Sequence, residues 1–286
     1  MEVTLDSSIK SLQPSPTLEA NIKIFERKKN NLDVYDWGLG SNPLEAPQGI
    51  VDAVKEHAFQ KYYSSPRGIP ELAALIAKHY SIKNTYELSS EEVIVAPGLK
   101  QLLFDVQKAF GGHLVHVVPY WVSYAEQTEV LGKTPMKIMT RKQDNYKLTP
   151  ESLEELGKSH PNDPKLLLFN HPTNPSGVAY TRSELKDLAV VLKKYHFFVF
   201  ADEIYLNTHF ENERHSIAEF YPEGTMRASS LSKEFGLGGY RLGWATFPKK
   251  LQALRKAMIA IGTASYSCAA VPMQYAAIQA FKGHPS

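Results

Sequence analysis

Four short apolar runs lie at 93–96, 114–118, 165–169 and 197–201, each bounded by proline or polar residues. Runs this short, rich in Val, Leu and Phe, suit strands buried on both faces rather than helices. Between them apolar residues recur at three- and four-residue spacing, and segments 99–110, 124–132, 150–156 and 182–195 are predicted as helices. Regular alternation of strand and helix predicts an α/β domain built on a largely parallel sheet.

The pattern upstream of residue 91 is different. Segment 47–60 carries Ile50, Val51, Val54 and Phe59 and predicts a helix opening at Pro47. Leu72, Leu75, Ile76 and Tyr80 predict another, with a loop at 62–68 between the two. Residues 9–31 have helical periodicity broken by Pro14 and Pro16, and 33–43 reads as an extended piece ending in a Gly/Asn/Pro turn. No internal repeat, low-complexity stretch or linker interrupts the chain.

Composition narrows the class. With 286 residues, 43% hydrophobic and 22% charged, the chain can bury a large core and resembles an ordinary globular protein. A net charge of +2 gives no reason to expect a nucleic-acid or membrane-surface role. The opening Met-Glu-Val-Thr-Leu-Asp-Ser-Ser lacks the apolar core of a secretory signal, and no apolar run approaches membrane-spanning length. One cysteine, Cys268, excludes an internal disulfide and a cysteine-based metal site, so a reducing, cytoplasmic setting is expected.

In parallel α/β sheets ligands bind at the carboxyl ends of the strands, and the distinctive residues of this chain fall there. Gly98-Leu99-Lys100 follows the first run and opens a helix, whose free N–H groups suit a phosphate; a plain strand–helix connection explains it as well. Tyr120 and Trp121 follow the second, where core packing competes with an indole stacked on a flat ligand ring. Asn174, in Asn170-His-Pro-Thr-Asn-Pro-Ser-Gly177, follows the third as a turn residue or as an amide donor to a phenolate-like oxygen. Asp202 ends the fourth, where an unpaired carboxylate is expensive to bury. It caps the following turn or meets a pyridinium N–H, and Tyr205 just beyond can donate to a ring oxygen.

The stretch from Ser230 to Gly243, Ser-Leu-Ser-Lys-Glu-Phe-Gly-Leu-Gly-Gly-Tyr-Arg-Leu-Gly, gathers a lysine, two hydroxyls, several glycines and Arg241. A lysine that forms an imine must be held still and partly unprotonated. Arginine and hydroxyls beside it suit a phosphate.

In this order, these phrases resemble those of class I/II aminotransferases, enzymes of fold type I that depend on pyridoxal phosphate (PLP), near the aspartate aminotransferase-like branch. The resemblance runs from the Leu39-Gly40 turn to Gln274. It implies a mixed, mostly parallel seven-stranded sheet sandwiched by helices. Residues 46–286 would form the large PLP-binding domain and 1–45 an N-terminal arm with part of an incomplete small domain. Lys233 would carry the aldimine and shuttle the proton, and Asp202 would pair with the ring nitrogen. Asn174 and Tyr205 would bond the ring oxygen, and Trp121 would stack on the ring. Gly98, Leu99, Lys100, Ser230, Ser232 and Arg241 would hold the phosphate. Tyr63 would reach the phosphate of a neighbouring subunit, implying a homodimer, and Gly40 would lie near the substrate carboxylate, with Trp121 and Asn174 also beside the substrate. The implied activity is ping-pong transamination between an amino acid and a 2-oxo acid. A PLP-dependent lyase or synthase of the same fold, or a truncated PLP-binding protein with little activity, is the alternative.

Two departures from that family pattern stand out. Family members continue for roughly 100 residues, on the scale of a small domain, beyond the point where this chain ends, and that segment carries the arginine for the substrate α-carboxylate. Arg67 is a candidate replacement only by its loop position. The second departure is the run 265–270, which has alanine where proline is common. An incomplete small domain is expected to leave apolar surface exposed.

Overall fold

The computed structural model describes residues 3–4, 6–9, 12, 16–36, 38, 40–82, 85–208 and 214–283. The readings placed on Pro14 and Leu39 lie outside them. Helices α1 (Pro16–Lys29), α2 (Gln48–His57) and α3 (Pro70–Tyr80) precede strand β1 (Val93–Ala96). Then follow α4 (Leu99–Ala109), β2 (His113–Val118), α5 (Ser123–Val130), β3 (Met136–Met139), α6 (Pro150–Ser159) and β4 (Lys165–Asn170). The chain continues through α7 (Arg182–Lys194), β5 (Phe197–Asp202), β6 (Thr225–Ser230), β7 (Gly243–Thr246), α8 (Gln252–Ser265) and α9 (Val271–Gly283).

All seven strands form one sheet in the order β1-β7-β6-β5-β4-β2-β3. Strand β7 runs antiparallel to β1 and β6, and every other pairing is parallel. This is the mixed, mostly parallel sheet expected. The four apolar runs are β1, β2, β4 and β5 to within a residue or so at each end.

Alternate residues of each strand serve opposite faces. Ile94 and Ala96 pack with Leu102, Leu103 and Val106 of α4 and Met258 of α8. Val93 and Val95 turn the other way, onto Leu72 and Ile76 of α3 and Ala276 and Ala277 of α9. Farther along that second face, Leu167 and Val199 meet Leu153 of α6 and Leu185 and Leu188 of α7. Helices therefore cover both faces of the sheet.

The segment before α3 is more open. Phe25, Leu44 and Phe59 are exposed. Residues 33–43 form no strand among those described. No helix among the described residues is long and apolar enough to cross a membrane.

Candidate active site

Strand register brings the distinctive residues to one edge of the sheet. Ala96 of β1 lies opposite Gly243 of β7, which lies opposite Ser230 of β6. Asp202 of β5 is flanked by Asn170 of β4 on one side and Ala228 of β6 on the other. The carboxyl ends of β1, β4, β5 and β6 therefore stand in a row, and the loops that leave them carry Gly98, Asn174, Tyr205 and Lys233.

Gly98 begins α4 with φ +90°, a backbone that side chains rarely adopt. The helix's first N–H groups, at Leu99 and Lys100, have no acceptor within the helix. Arg241 closes over this turn. Its Nη1 donates to the Gly238 carbonyl at 2.8 Å and its Nη2 to the Pro97 carbonyl at 3.4 Å. Arg241 itself has left-handed backbone, φ +50°, a conformation that costs about 1–2 kcal/mol for a residue with a Cβ. Gly243 allows the close approach of strand to helix: a Cβ there would lie 2.6 Å from the Leu99 nitrogen.

The lysine loop is drawn tight by Leu231 N–H donating to the Leu242 carbonyl at 3.1 Å and Leu237 N–H to that of Leu231 at 3.0 Å. Ser232 N–H donates to the hydroxyl of buried Ser230 at 3.2 Å. From this loop the Lys233 amine reaches the Gly40 carbonyl at 3.2 Å, so the N-terminal arm lies over it. Burial lowers the pKa of Lys233 from its ordinary value, because the ammonium loses hydration.

Asp202 is 2% exposed. Burial is the largest influence on its carboxyl and pushes the pKa up to about 6, against hydrogen bonds that pull it down. Two donors within the chain meet this carboxylate: the Tyr124 hydroxyl donates to Asp202 Oδ2 at 2.7 Å and Ile204 N–H donates to Oδ1 at 3.3 Å. The turn-capping explanation is thus part of the truth, and Tyr124 was missed altogether. The signal was present in Pro119-Tyr-Trp-Val-Ser-Tyr124, where the second tyrosine falls one helical turn beyond Trp121.

The remaining residues are placed around this centre. Asn174 Nδ2 donates to the Tyr205 hydroxyl at 3.4 Å, and Asn174 N–H to Asn170 Oδ1 at 2.6 Å. Burial raises the pKa of Tyr205, with the Asp202 charge adding to the effect. Trp121 lies edge-on to Tyr124 at 6.1 Å, and the Lys100 amine stands over the indole at 4.9 Å. Two residues lie elsewhere. Tyr63 is 87% exposed in a groove of about 410 Å³ that Arg67, Gly68 and Tyr275 also line. Arg67 is engaged by Glu91, so its guanidinium is committed locally. Among the described residues no cluster of three or more His, Cys, Asp or Glu side chains could hold a metal.

Known proteins share this fold. The profile of the family described as aminotransferase class I and II matches residues 32–286. Aspartate aminotransferase of Bacillus sp. (strain YM-2) is 32% identical over 99% of this chain and 73% of its own length. A probable aspartate/prephenate aminotransferase of Thermus aquaticus is 30% identical over 96% of this chain and 72% of its own. Among solved structures, Thermus thermophilus aspartate aminotransferase with maleate superposes with a TM-score of 0.89 at 28% identity, over 98% of this chain and 73% of that one. The Thermotoga maritima enzyme superposes with a TM-score of 0.86 at 29% identity, over 98% and 75%. With a family profile spanning nearly the whole chain and relatives above 30% identity, the chain belongs to the aminotransferase class I and II family.

Proposed function

We propose that this chain binds pyridoxal phosphate and transfers an amino group between an amino acid and a 2-oxo acid in a ping-pong cycle. One observation carries the reading: a half-buried lysine amine and a buried carboxylate leave neighbouring strands at the same sheet edge, beside a glycine turn covered by an arginine.

The residues fit that cofactor on chemical grounds. A Cβ at position 98 would lie 2.6 Å from the Arg241 guanidinium, so only glycine leaves the turn open beside a cationic fork suited to phosphate oxygens. The N–H groups of Leu99 and Lys100 would add donors, and Ser230 and Ser232 hydroxyls. Asp202 would hold an ion pair with a ring N–H, a partner able to keep a buried carboxylate ionised. Asn174 and Tyr205 would donate to the ring oxygen, and Trp121 would cover one ring face. When bound, the cofactor supplies an electrophilic carbon for the amino group and a ring that accepts the electron pair left at the substrate α-carbon.

Lys233 then does the proton work. Its amine, with basicity reduced by burial, is suited to take the α-proton at Nζ and return it elsewhere. The Gly40 carbonyl, 3.2 Å away, orients that amine. Exposed Tyr63 would serve a second copy of the chain, making the working form a homodimer in the cytoplasm. Residues 46–286 would form the cofactor domain and 1–45 the arm and part of a small domain. A dicarboxylic amino donor is favoured because the relatives are named aspartate and aspartate/prephenate aminotransferases.

The test is a panel of amino acids offered to PLP-loaded protein, following conversion of the cofactor to its amine form by absorbance. Acidic amino acids are expected to convert it, and a 2-oxo acid to reverse the change. A keto acid formed without any oxo-acid acceptor would mark a lyase instead. Lys233→Ala should abolish covalent attachment and turnover; turnover in that variant would mean that another base acts.

A further inference from the structure

The segment that carries Trp121 also carries a second side chain aimed at the site, one with no role in the reading above. Tyr124 is 1% exposed, and its hydroxyl has one described partner, Asp202 Oδ2 at 2.7 Å. Tyr124 N–H donates to the Trp121 carbonyl at 3.0 Å, so indole and phenol are locked into a single turn. That turn is fastened to α4 by buried and half-buried polar groups. The Thr128 hydroxyl meets the Tyr124 carbonyl at 2.6 Å and Gln107 Oε1 at 2.8 Å. Gln107 Nε2 donates to Gln127 Oε1 at 2.9 Å, and Gln127 Nε2 to the Lys100 carbonyl at 2.8 Å. Hydrogen bonds of this kind rigidify what they join. Here they join the turn facing Asp202 to the helix whose N-terminus borders Arg241.

We propose that Tyr124 is a positioning residue for the reaction: its hydroxyl fixes the Asp202 carboxylate and keeps it ionised, so that Asp202 is already charged when a cationic ring N–H arrives. The inference rests on the proposed function, in which Asp202 meets the cofactor ring. A buried carboxylate otherwise lowers its energy by taking a proton. Tyrosine suits the task because it donates without giving its proton away: burial, with the Asp202 charge beside it, raises its pKa far above the ordinary value. Other titratable groups also face this pair. Glu203 adjoins Asp202 in sequence but is held by Arg227 of β6 at 2.8 Å. Tyr205 lies on the following turn. His116 of β2 sits 6.0 Å from the Tyr124 ring, and burial lowers its pKa to about 4, leaving it neutral. Tyr124 therefore donates at 2.7 Å to Oδ2, while the Ile204 N–H on Oδ1 and the Asn170 side chain also favour the charged carboxylate.

The experiment compares wild type with Tyr124→Phe in two forms. In cofactor-free protein, the Asp202 carboxyl titration, followed by carbon-13 NMR, should move upward by about one pH unit or more. In the loaded enzyme, PLP should dissociate about ten- to a hundredfold more readily, since a hydrogen bond to a charged group is worth that factor. The kcat should fall more than KM rises. In an Asp202→Asn background the Phe substitution should change PLP affinity less than threefold, because no charge remains to be held. Wild type that fails to bind PLP sinks the cofactor reading itself. Wild type that binds PLP while Tyr124→Phe matches it in both titration and affinity overturns the role of Tyr124 alone. Should the Phe variant not fold, the ζ-carbon of Tyr124 in wild type must shift with the Asp202 midpoint; a ζ-carbon blind to that titration also overturns it.

Discussion

The guanidinium of Arg241 fills the space that a side chain at position 98 would need, with Nη2 only 2.6 Å from where a Cβ would sit. One residue begins α4 and the other precedes β7, and the sheet register that sets Ala96 against Gly243 makes them neighbours. Gly98→Ala therefore forces the arginine aside as well as straining a backbone at φ +90°. The strain alone should cost about 1–3 kcal/mol. Displacing the arginine should weaken PLP binding while leaving binding of pyridoxal, which lacks the phosphate, nearly unchanged. Equal loss for both ligands would show that the phosphate is held somewhere else.

Asp202 should also shape stability against pH in the cofactor-free chain. Its carboxyl titrates at about 6 when folded, against 3.8 for the free side chain, so the folded state holds the proton more tightly. This contribution is fully present below pH 4 and is lost as pH rises through 6. Two pKa units correspond to about 3 kcal/mol. Asp202→Asn should be more stable than wild type at pH 7.5 by up to about that amount, and equal to it near pH 4. Asp105, also pushed up to about 6 by burial, is common to both proteins and cancels in the difference. Denaturant unfolding at several pH values measures it, and a constant offset between the two would contradict the argument.

Gln274 ties the loop bearing Tyr63 to α9. This buried amide accepts from Ile69 N–H at 2.7 Å and donates to Ser64 Oγ and the Ala269 carbonyl, both at 2.9 Å. Gln274→Leu matches its size but strands two backbone groups, which should cost about 2–4 kcal/mol. Hydrogen exchange at Ile69 should accelerate well before global unfolding. Unchanged protection there would mean that the loop is held by its packing alone.

The parts that sequence made legible were those where one physical rule dominated. Val93–Ala96, Leu166–Phe169 and Phe197–Ala201 are buried on both faces and therefore uniformly apolar, so β1, β4 and β5 were visible. Strand β6 is as central, yet its Thr-Met-Arg-Ala-Ser-Ser carries polar groups that only tertiary partners satisfy, and no periodicity betrays it. Strand β3 lies at the sheet edge with two of its four residues exposed, and β7, Gly-Trp-Ala-Thr, opens on glycine and ends on threonine rather than forming an apolar run. In the site, Asp202 and Lys233 drew notice as charged residues in apolar or glycine-rich surroundings. Tyr124 did not, because an aromatic at helical spacing reads as core, and its hydroxyl bond spans 78 positions of sequence.

Arg227 shows what allows a polar strand to sit mid-sheet. Its Nε donates to Glu203 Oε2 at 2.8 Å, its Nη1 to the Tyr80 carbonyl at 3.2 Å, and its guanidinium lies 4.6 Å from the Tyr80 ring. Glu203, almost wholly buried, also accepts from the Ser216 hydroxyl. Arg227→Met keeps the packing but leaves that carboxylate with a hydroxyl alone, and breaking such a pair costs about 3–5 kcal/mol. The added uncompensated charge sits next to Asp202 and should raise its pKa further, since Glu203 already pushes in that direction. Adding Glu203→Gln removes the charge and should recover most of the stability and return the Asp202 titration toward its original midpoint. Urea unfolding of the two single variants and the double one reads the coupling directly. A double variant no better than Arg227→Met would mean that the arginine acts through its stacking on Tyr80 rather than through its charge.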